Sequence, residues 1–360
     1  EEAILKLAMA KPPAERDVFL EGACLGDTAL RQRIEALLAA HKDSTELLLS
    51  GETTGKMPPP EVPGTVIGPY KLLEKIGEGG FGVVYVAEQK RPIKRRVAIK
   101  VIKPGMDTKQ VVARFEAERQ ALALMDHPNI AKVLDAGATN AGRPYFVMEL
   151  VRGIPLTEYC NQEKLSTKRR LDLFIKVCQA IQHAHQKGII HRDIKPSNVL
   201  VTMQDGALVP KVIDFGIAKA TQEELTDKTL YTRLQQFLGT PAYMSPEQAE
   251  MRGLDVDTRS DIYSLGVLLY ELLTDSTPFD PRELIRDGID AMRKTIREKE
   301  PSRPSNKIEM LSRGDRRTMA QRHATDVVEL ISILRGDLDW IVMKCLEKDP
   351  SQRYASAEAF

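Results

Sequence analysis

The apolar residues of this chain change period along its length, and that change restricts the fold more than any other feature. Runs of β-branched and aromatic residues come first, at Tyr70 to Ile76, Val83 to Ala87, Val97 to Ile102 and Tyr145 to Met148. Such runs suit a pleated, half-buried surface and read as strands. One helical pattern, about Gln110 to Met125, interrupts them, and helical spacing then continues over Thr167 to Gln186, Arg259 to Thr274 and Leu338 to Glu347. A β-rich portion followed by an α-rich portion predicts an α+β fold of two lobes, with the crevice between them as the ligand site. The 360 residues, 42% of them hydrophobic, suffice for one large domain or two ordinary ones.

Two segments precede this pattern. Residues 1–49 read as a module of small helices: Pro12-Pro13 opens one, and Asp27 caps another whose Leu30, Ile34, Leu37 and Leu38 share a face. Residues 50–64 include Pro58-Pro59-Pro60, which neither a helix nor a ladder tolerates, and read as an extended linker. The folded domain is then 65–360, with lobes of about 70–150 and 151–360. The chain opens Glu1-Glu2 without Met and stops at Ala359-Phe360 without a turn or cap, as a piece cut from a longer protein would.

Lys and Arg number 52 against 51 Asp and Glu, a balance that offers no global attraction to nucleic acid or anionic lipid. Neither kind of partner is expected. Cys24, Cys160, Cys178 and Cys345 lie too far apart for a C-x-x-C site and read as buried free thiols of a reducing compartment. The longest apolar stretch, Ile262 to Leu273, has 12 residues and falls short of a membrane span.

The motifs carry the chemistry. Gly77-Glu78-Gly79-Gly80-Phe81-Gly82 fits G-x-G-x-x-G, a pattern that dinucleotide-binding turns, phosphate-covering flaps and plain hairpins share. A dinucleotide fingerprint opens a helix, whereas Val83-Val84-Tyr85-Val86 favours a strand, which leaves a hairpin with or without phosphates beneath it. In Val97-Ala98-Ile99-Lys100, the lysine is either an edge-strand charge or a buried cation, for which Glu118 on the next helix can be the anion. Then follow, in order, His191-Arg192-Asp193-Ile194-Lys195-Pro196-Ser197-Asn198, Asp214-Phe215-Gly216, Gly239-Thr240-Pro241-Ala242-Tyr243-Met244-Ser245-Pro246-Glu247 and Asp261-Ile262-Tyr263-Ser264-Leu265-Gly266. Each can arise alone in a loop; their joint order does not arise by chance.

At these residues, from about Tyr70 to the C-terminus, the sequence resembles the eukaryotic-type (Hanks-type) serine/threonine protein kinases. Phrases such as Gly239 to Ala249 and Leu338 to Tyr354 are similar to the bacterial membrane-associated members. The resemblance implies the two-lobed kinase fold and transfer of the γ-phosphate of ATP, with Mg²⁺ or Mn²⁺, to protein Ser or Thr hydroxyls in bacterial signalling. It makes Asp193 the base, sets Lys195 on the γ-phosphate and Lys100, oriented by Glu118, on the α and β phosphates, and gives the metal to Asn198 and Asp214. Ile76, Gly77, Glu78, Gly79, Gly80, Phe81, Gly82 and Val83 cover the phosphates. Met148 stands behind the adenine, the backbone of Glu149 and Val151 meets its edge, and Val84, Ala98 and Leu200 sandwich the ring. Arg152-Gly153-Ile154-Pro155-Leu156 departs from the family in lacking a carboxylate for the ribose.

In the loop between Asp214 and Glu247, Thr232 and then Thr229 are the regulatory phosphosites, with Arg192 to pair the phosphate. Lys195 and Thr240 match the Ser/Thr branch. The alternative, a nucleotide-binding pseudokinase scaffold, is normally marked by loss of the lysine, the base or the metal aspartate, and Lys100, Asp193 and Asp214 are all present. By resemblance Asp261 holds the catalytic-loop backbone, Arg353 pairs with Glu247, and His191 packs without acting as a base. His183 and His185, two apart on a helix, point in different directions. The family pattern further implies protein substrates, a homodimer for trans-autophosphorylation, a cytoplasmic domain, and any membrane anchor beyond Phe360. Residues 286–322, with 11 Lys and Arg against 6 Asp and Glu, read as a solvated insert or a docking site for an acidic partner.

Overall fold

The structure, a computed structural model, describes residues 61–79, 82–103, 125–215, 241–250 and 256–360. All belong to the second of two units, Glu1–Pro60 and Glu61–Phe360, into which the chain divides. The expected helical module with Cys24, the residues Gly80 and Phe81, the helix bearing Glu118, and the loop bearing Thr229, Thr232 and Thr240 lie outside the described residues.

Alternating apolar residues build the first lobe. Strands β1 (Val66–Ile67), β2 (Tyr70–Glu78), β3 (Gly82–Gln89), β4 (Arg95–Ile102), β5 (Val133–Ala138) and β6 (Pro144–Glu149) form one antiparallel sheet in the order β1-β2-β3-β4-β6-β5. Val97, Ile99 and Val101 of β4 point into a core shared with Tyr70, Leu72, Tyr85 and Val147. The intervening Ala98 and Lys100 therefore take the other face. Cross-strand register sets Val84, Lys100 and Phe146 in one row, and Val86, Ala98 and Met148 in the next. One face of the sheet thus gathers Val84, Ala98, Lys100 and Met148.

Residues 61–64, expected as linker, instead dock on this sheet. Glu61 pairs with the buried Arg143 at 3.0 Å, its carbonyl accepts from the Tyr85 hydroxyl at 2.6 Å, and the Gly64 N–H donates to the Leu72 carbonyl at 2.8 Å. A lone buried guanidinium is costly, and Glu61 supplies its anion.

The second lobe opens with β7 (Ile154–Pro155), α1 (Leu156–Gln162) and α2 (Thr167–Gln186) and continues through β8 (Val199–Gln204) and β9 (Ala207–Val212). Strands β7, β8 and β9 make a small antiparallel sheet in that order. Helices α3 (Pro246–Glu250), α4 (Thr258–Thr274), α5 (Pro281–Arg286), α6 (Ile289–Glu298), α7 (Pro304–Met310), α8 (Arg313–Arg322), α9 (Val327–Leu334) and α10 (Asp337–Cys345) follow. Helix α4 is buried along most of its length and forms the axis of the lobe. Asp257 caps its start by accepting from the Arg259 N–H, and Asp275 ends it at φ 52°. Gly266 admits α10, since a Cβ there would stand 2.4 Å from the Cys345 Cβ.

The basic stretch 286–322 is not a solvated loop. It forms α6, α7 and α8, with Met292, Ile296, Ile308, Met319 and Ala320 buried. Its charge misleads because each helix needs only one or two apolar anchors to seat on the lobe, leaving the basic residues for the outer faces. Arg170 of α2, fully buried, donates to the carbonyls of Leu165 and Leu272 and, at 2.8 Å, of Arg322 at the end of α8.

Candidate active site

The loop 191–198, between α2 and β8, is held from behind by one carboxylate. Asp261 of α4, with no exposure, accepts from the backbone N–H of His191 at 2.7 Å and of Arg192 at 2.8 Å, and meets His185 Nε2 at 2.8 Å. Gln248 donates to the Arg192 carbonyl from the other side at 3.1 Å. This framework keeps Arg192 in the left-handed region at φ 63°, a conformation costing about 1 kcal/mol that persists where its surroundings determine it. His191 is buried, its Nε2 lies 3.1 Å from the Ile213 carbonyl, and its ring centroid is 4.6 Å from that of Phe215. Burial lowers its pKa against the pull of Asp261 and Asp193, so the ring is neutral and packs as a strut.

Asp193, Lys195 and Asn198 form one hydrogen-bonded group. Lys195 Nζ lies 2.9 Å from Asp193 Oδ2, and the Asn198 side-chain amide donates to the Asp193 carbonyl at 2.8 Å and to Oδ2 at 3.1 Å. The single turn Pro196–Asn198 makes this geometry local. Asp214 follows β9 at φ 59°, next to Asn198, whose carbonyl accepts from the Ile213 N–H at 2.9 Å.

Lys100 crosses from the upper lobe to pair with Asp214. Strand β4 lies between β3 and β6 and the lysine is 13% exposed, so it is an interior cation and not an edge charge. The amide nitrogen of Asn198 is turned to Asp193, which leaves its carbonyl oxygen, with the Asp214 carboxylate, as a pair of hard donors. Such donors fit Mg²⁺, which takes one or two protein oxygens and completes its shell with water and substrate phosphates.

The glycine hairpin sits at the end of β2 and β3. The Gly79 N–H donates to the Gly82 carbonyl at 2.9 Å. At Gly82 a Cβ would come 2.6 Å from the Val101 carbonyl oxygen, so glycine is required there by the neighbouring strand itself. Ile76 is 50% exposed, and Glu78 pairs with Lys103 at 2.6 Å and with Lys75. Those two lysines hold the Glu78 carboxyl down to about 2.

Val84, Ala98 and Met148 share the Lys100 face of the upper sheet, while Leu200 lies on β8 opposite Pro155 and Lys211. The Glu149 N–H donates to the Lys132 carbonyl at 2.9 Å. Arg353 binds Glu247 through two nitrogens at 2.7 and 2.9 Å, with Ser260 adding a 2.6 Å bond. Burial opposes ionisation of Glu247, but Arg353 and Ser260 prevail and lower its pKa. His183 stacks on His127 at 5.3 Å while His185 meets Asp261, so the two histidines do point apart. Among the described residues Cys160, Cys178 and Cys345 are free and buried, and no helix is long and apolar enough to cross a membrane.

Four contributors were missed in the sequence: His185 and Gln248 behind the loop, Lys211 on Glu149, and the Tyr243 hydroxyl on Glu271. Gln248, next to Ser-Pro-Glu, carried a signal by position. The other three depend on contacts 28 or more residues apart and carried none.

The protein kinase domain family matches residues 70–360. Serine/threonine-protein kinase Pkn1 of Myxococcus xanthus is 34% identical over 299 residues, covering 82% of this chain and 38% of that protein. Serine/threonine-protein kinase PknB of Mycobacterium leprae is 37% identical over 294 residues, covering 80% and 41%. The crystal structure of the PknI kinase domain of Mycobacterium tuberculosis superposes with a TM-score of 0.56 at 25% identity, covering 82% of this chain and 94% of that one. This chain belongs to the protein kinase domain family. It spans about two fifths of the length of the full-length relatives it matches.

Proposed function

We propose that this chain transfers the γ-phosphate of ATP, with Mg²⁺, to serine and threonine hydroxyls of protein substrates, as part of a bacterial signalling kinase. The observation that carries it is the single group Asp193–Lys195–Asn198 set beside the Lys100–Asp214 pair. Asp193 accepts the proton of the substrate hydroxyl and aims its oxygen, and Asn198 holds that residue by one bond to its backbone carbonyl and one to its carboxylate. Lys195, on the same carboxylate, stands where it offsets charge on the transferred group. Lys100 and Asp214 neutralise one another here; nucleotide phosphates offer the lysine an equivalent anion, and Asp214 with Asn198 would hold the metal. Bound Mg²⁺ offsets phosphate charge that the transition state spreads over its oxygens. Val84, Ala98 and Met148 from above and Leu200 from below suit an apolar ring, and the hairpin Ile76 to Val83 suits the phosphates. Phosphate on Thr232 or Thr229, placed there by a second copy, would pair with Arg192.

Labelled ATP with Mg²⁺ tests this directly. Wild type should label itself on Ser or Thr, and Asp193→Asn and Lys100→Met should lower the rate by about 10²-fold or more. Equal labelling of all three, or phosphotyrosine alone, would overturn the proposal.

A further inference from the structure

One buried cation that the mechanism does not use lies beside the crossing between the lobes. Lys211, on β9, is 5% exposed, and its Nζ lies 3.1 Å from Glu149 Oε2. Glu149 ends β6 and begins the crossing between the lobes, so this ion pair joins the last residue of the upper sheet to the small sheet of the lower lobe. The pattern of β9 shows why the lysine can reach it. Val212 and its partner Val199 are buried in the helical core, whereas Lys211 stands directly opposite Leu200 on the alternate face, away from that core.

The same carboxylate accepts from the Lys132 N–H at 3.3 Å, and the Lys132 carbonyl takes the Glu149 N–H at 2.9 Å. Residues 129–132 in turn ladder onto β9: the Val212 N–H donates to the Asn129 carbonyl at 2.8 Å, the Ala131 N–H to the Val212 carbonyl at 2.9 Å, and the Asn129 side chain to the Pro210 carbonyl at 2.8 Å. The first residue of the crossing is therefore clasped by β9 and by the segment paired with it. Only three positions along from Lys211, just past the end of β9, is Asp214.

We infer that Lys211 is a positioning residue for the nucleotide: through Glu149 it sets the crossing segment over Leu200, so that the base edge and the apolar floor keep a fixed separation. The lysine does not itself touch the ligand. A buried ammonium requires an anion, and here Glu149, 30% exposed, leaves solvent to meet it. Loss of the lysine frees the carboxylate without stranding a buried charge, which makes the contact testable without unfolding the lobe.

This inference rests on the nucleotide site proposed above. The test compares wild type, Lys211→Met and Lys211→Arg for kcat and KM with ATP, and for inhibition by adenosine and by inorganic tripolyphosphate. Lys211→Met should raise the KM for ATP and the Ki for adenosine about tenfold, equivalent to about 1.4 kcal/mol. It should leave kcat and the tripolyphosphate Ki within about twofold, and Lys211→Arg should restore adenosine binding, since it keeps the charge on Glu149. Unchanged adenosine affinity in the folded methionine variant overturns the inference, as does equal weakening of tripolyphosphate. If that variant does not fold, Lys211→Gln, which likewise leaves no buried charge unpaired, carries the same comparison. A wild-type chain that binds adenosine but transfers no phosphate overturns the kinase proposal alone, and the affinities still decide Lys211. One that binds no adenosine overturns both.

Discussion

Asp261 and Glu78 are both carboxylates that gather several donors, yet they serve opposite ends of the site. Asp261 is fully buried and ties two backbone N–H groups and His185 to α4, so the loop carrying Asp193 cannot shift without stranding a charge. Glu78 gathers Lys75 and Lys103 in solvent at the edge of the hairpin. Exposed pairs of this kind are screened and contribute little. On the function proposed above, the base must hold its direction to a fraction of an ångström, whereas the cover over the phosphates must open for exchange. Burial is the means by which one chain makes the same chemistry rigid in one place and yielding in another.

The widest separation should come from the buried side. Arg353→Met leaves Glu247 without its guanidinium and should lower stability by about 3–5 kcal/mol, measured by urea unfolding; a loss under about 1 kcal/mol would remove the claim that the lower lobe is held by satisfied buried charge. Asp261→Asn should come next, at about 2–3 kcal/mol, with a further loss of transfer rate beyond what unfolding explains. If rate and stability fall together and no further, the loop is not specifically positioned by Asp261.

The pH dependence should divide the same way. His323, buried beside Thr167 and Arg170, has its pKa lowered to about 4, first by burial and then by Arg170, with Asp275 opposing. Its folded value lies below the unfolded value of about 6.5, so the unfolded chain binds more protons between them. Stability should be fully present above about pH 6.5 and fall by about 3 kcal/mol as pH drops towards 4. His323→Gln should flatten that slope, and an unchanged slope assigns it elsewhere. Glu247, also lowered, adds a loss only further into acid.

The smallest effects belong to the hairpin. Gly82→Ala should lower stability by about 1–2 kcal/mol, because its Cβ meets the Val101 carbonyl backbone, which cannot rotate away. Glu78→Gln should leave the melting temperature unchanged while altering the KM for ATP at low salt. A clear drop in melting temperature would show that the hairpin, too, is part of the frame.

Local patterns were legible in the sequence. Helix α2 runs over the expected Thr167–Gln186, and β2, β3, β4 and β6 differ from expectation by no more than two residues at either end. Strand β5, Val-Leu-Asp-Ala-Gly-Ala, was not anticipated, because its alanines and glycine have little strand preference and only pairing with β6 makes it one. Likewise, no composition argument showed that the basic stretch 286–322 folds against two cores through Met292, Ile296, Ile308 and Met319.

The sequence by itself determined the family, the succession of a strand-rich portion by a helix-rich one, and which residues were candidates for the site, since these depend on residue type and short spacing. Tertiary structure alone decided that Lys100 is interior and meets Asp214, that His185 joins Asp261 behind the loop 191–198, and that Lys211 reaches Glu149. Those contacts join residues 62 to 114 positions apart. Which charges are buried together follows from how the elements pack, and packing is a property of the whole fold and not of any window of residues.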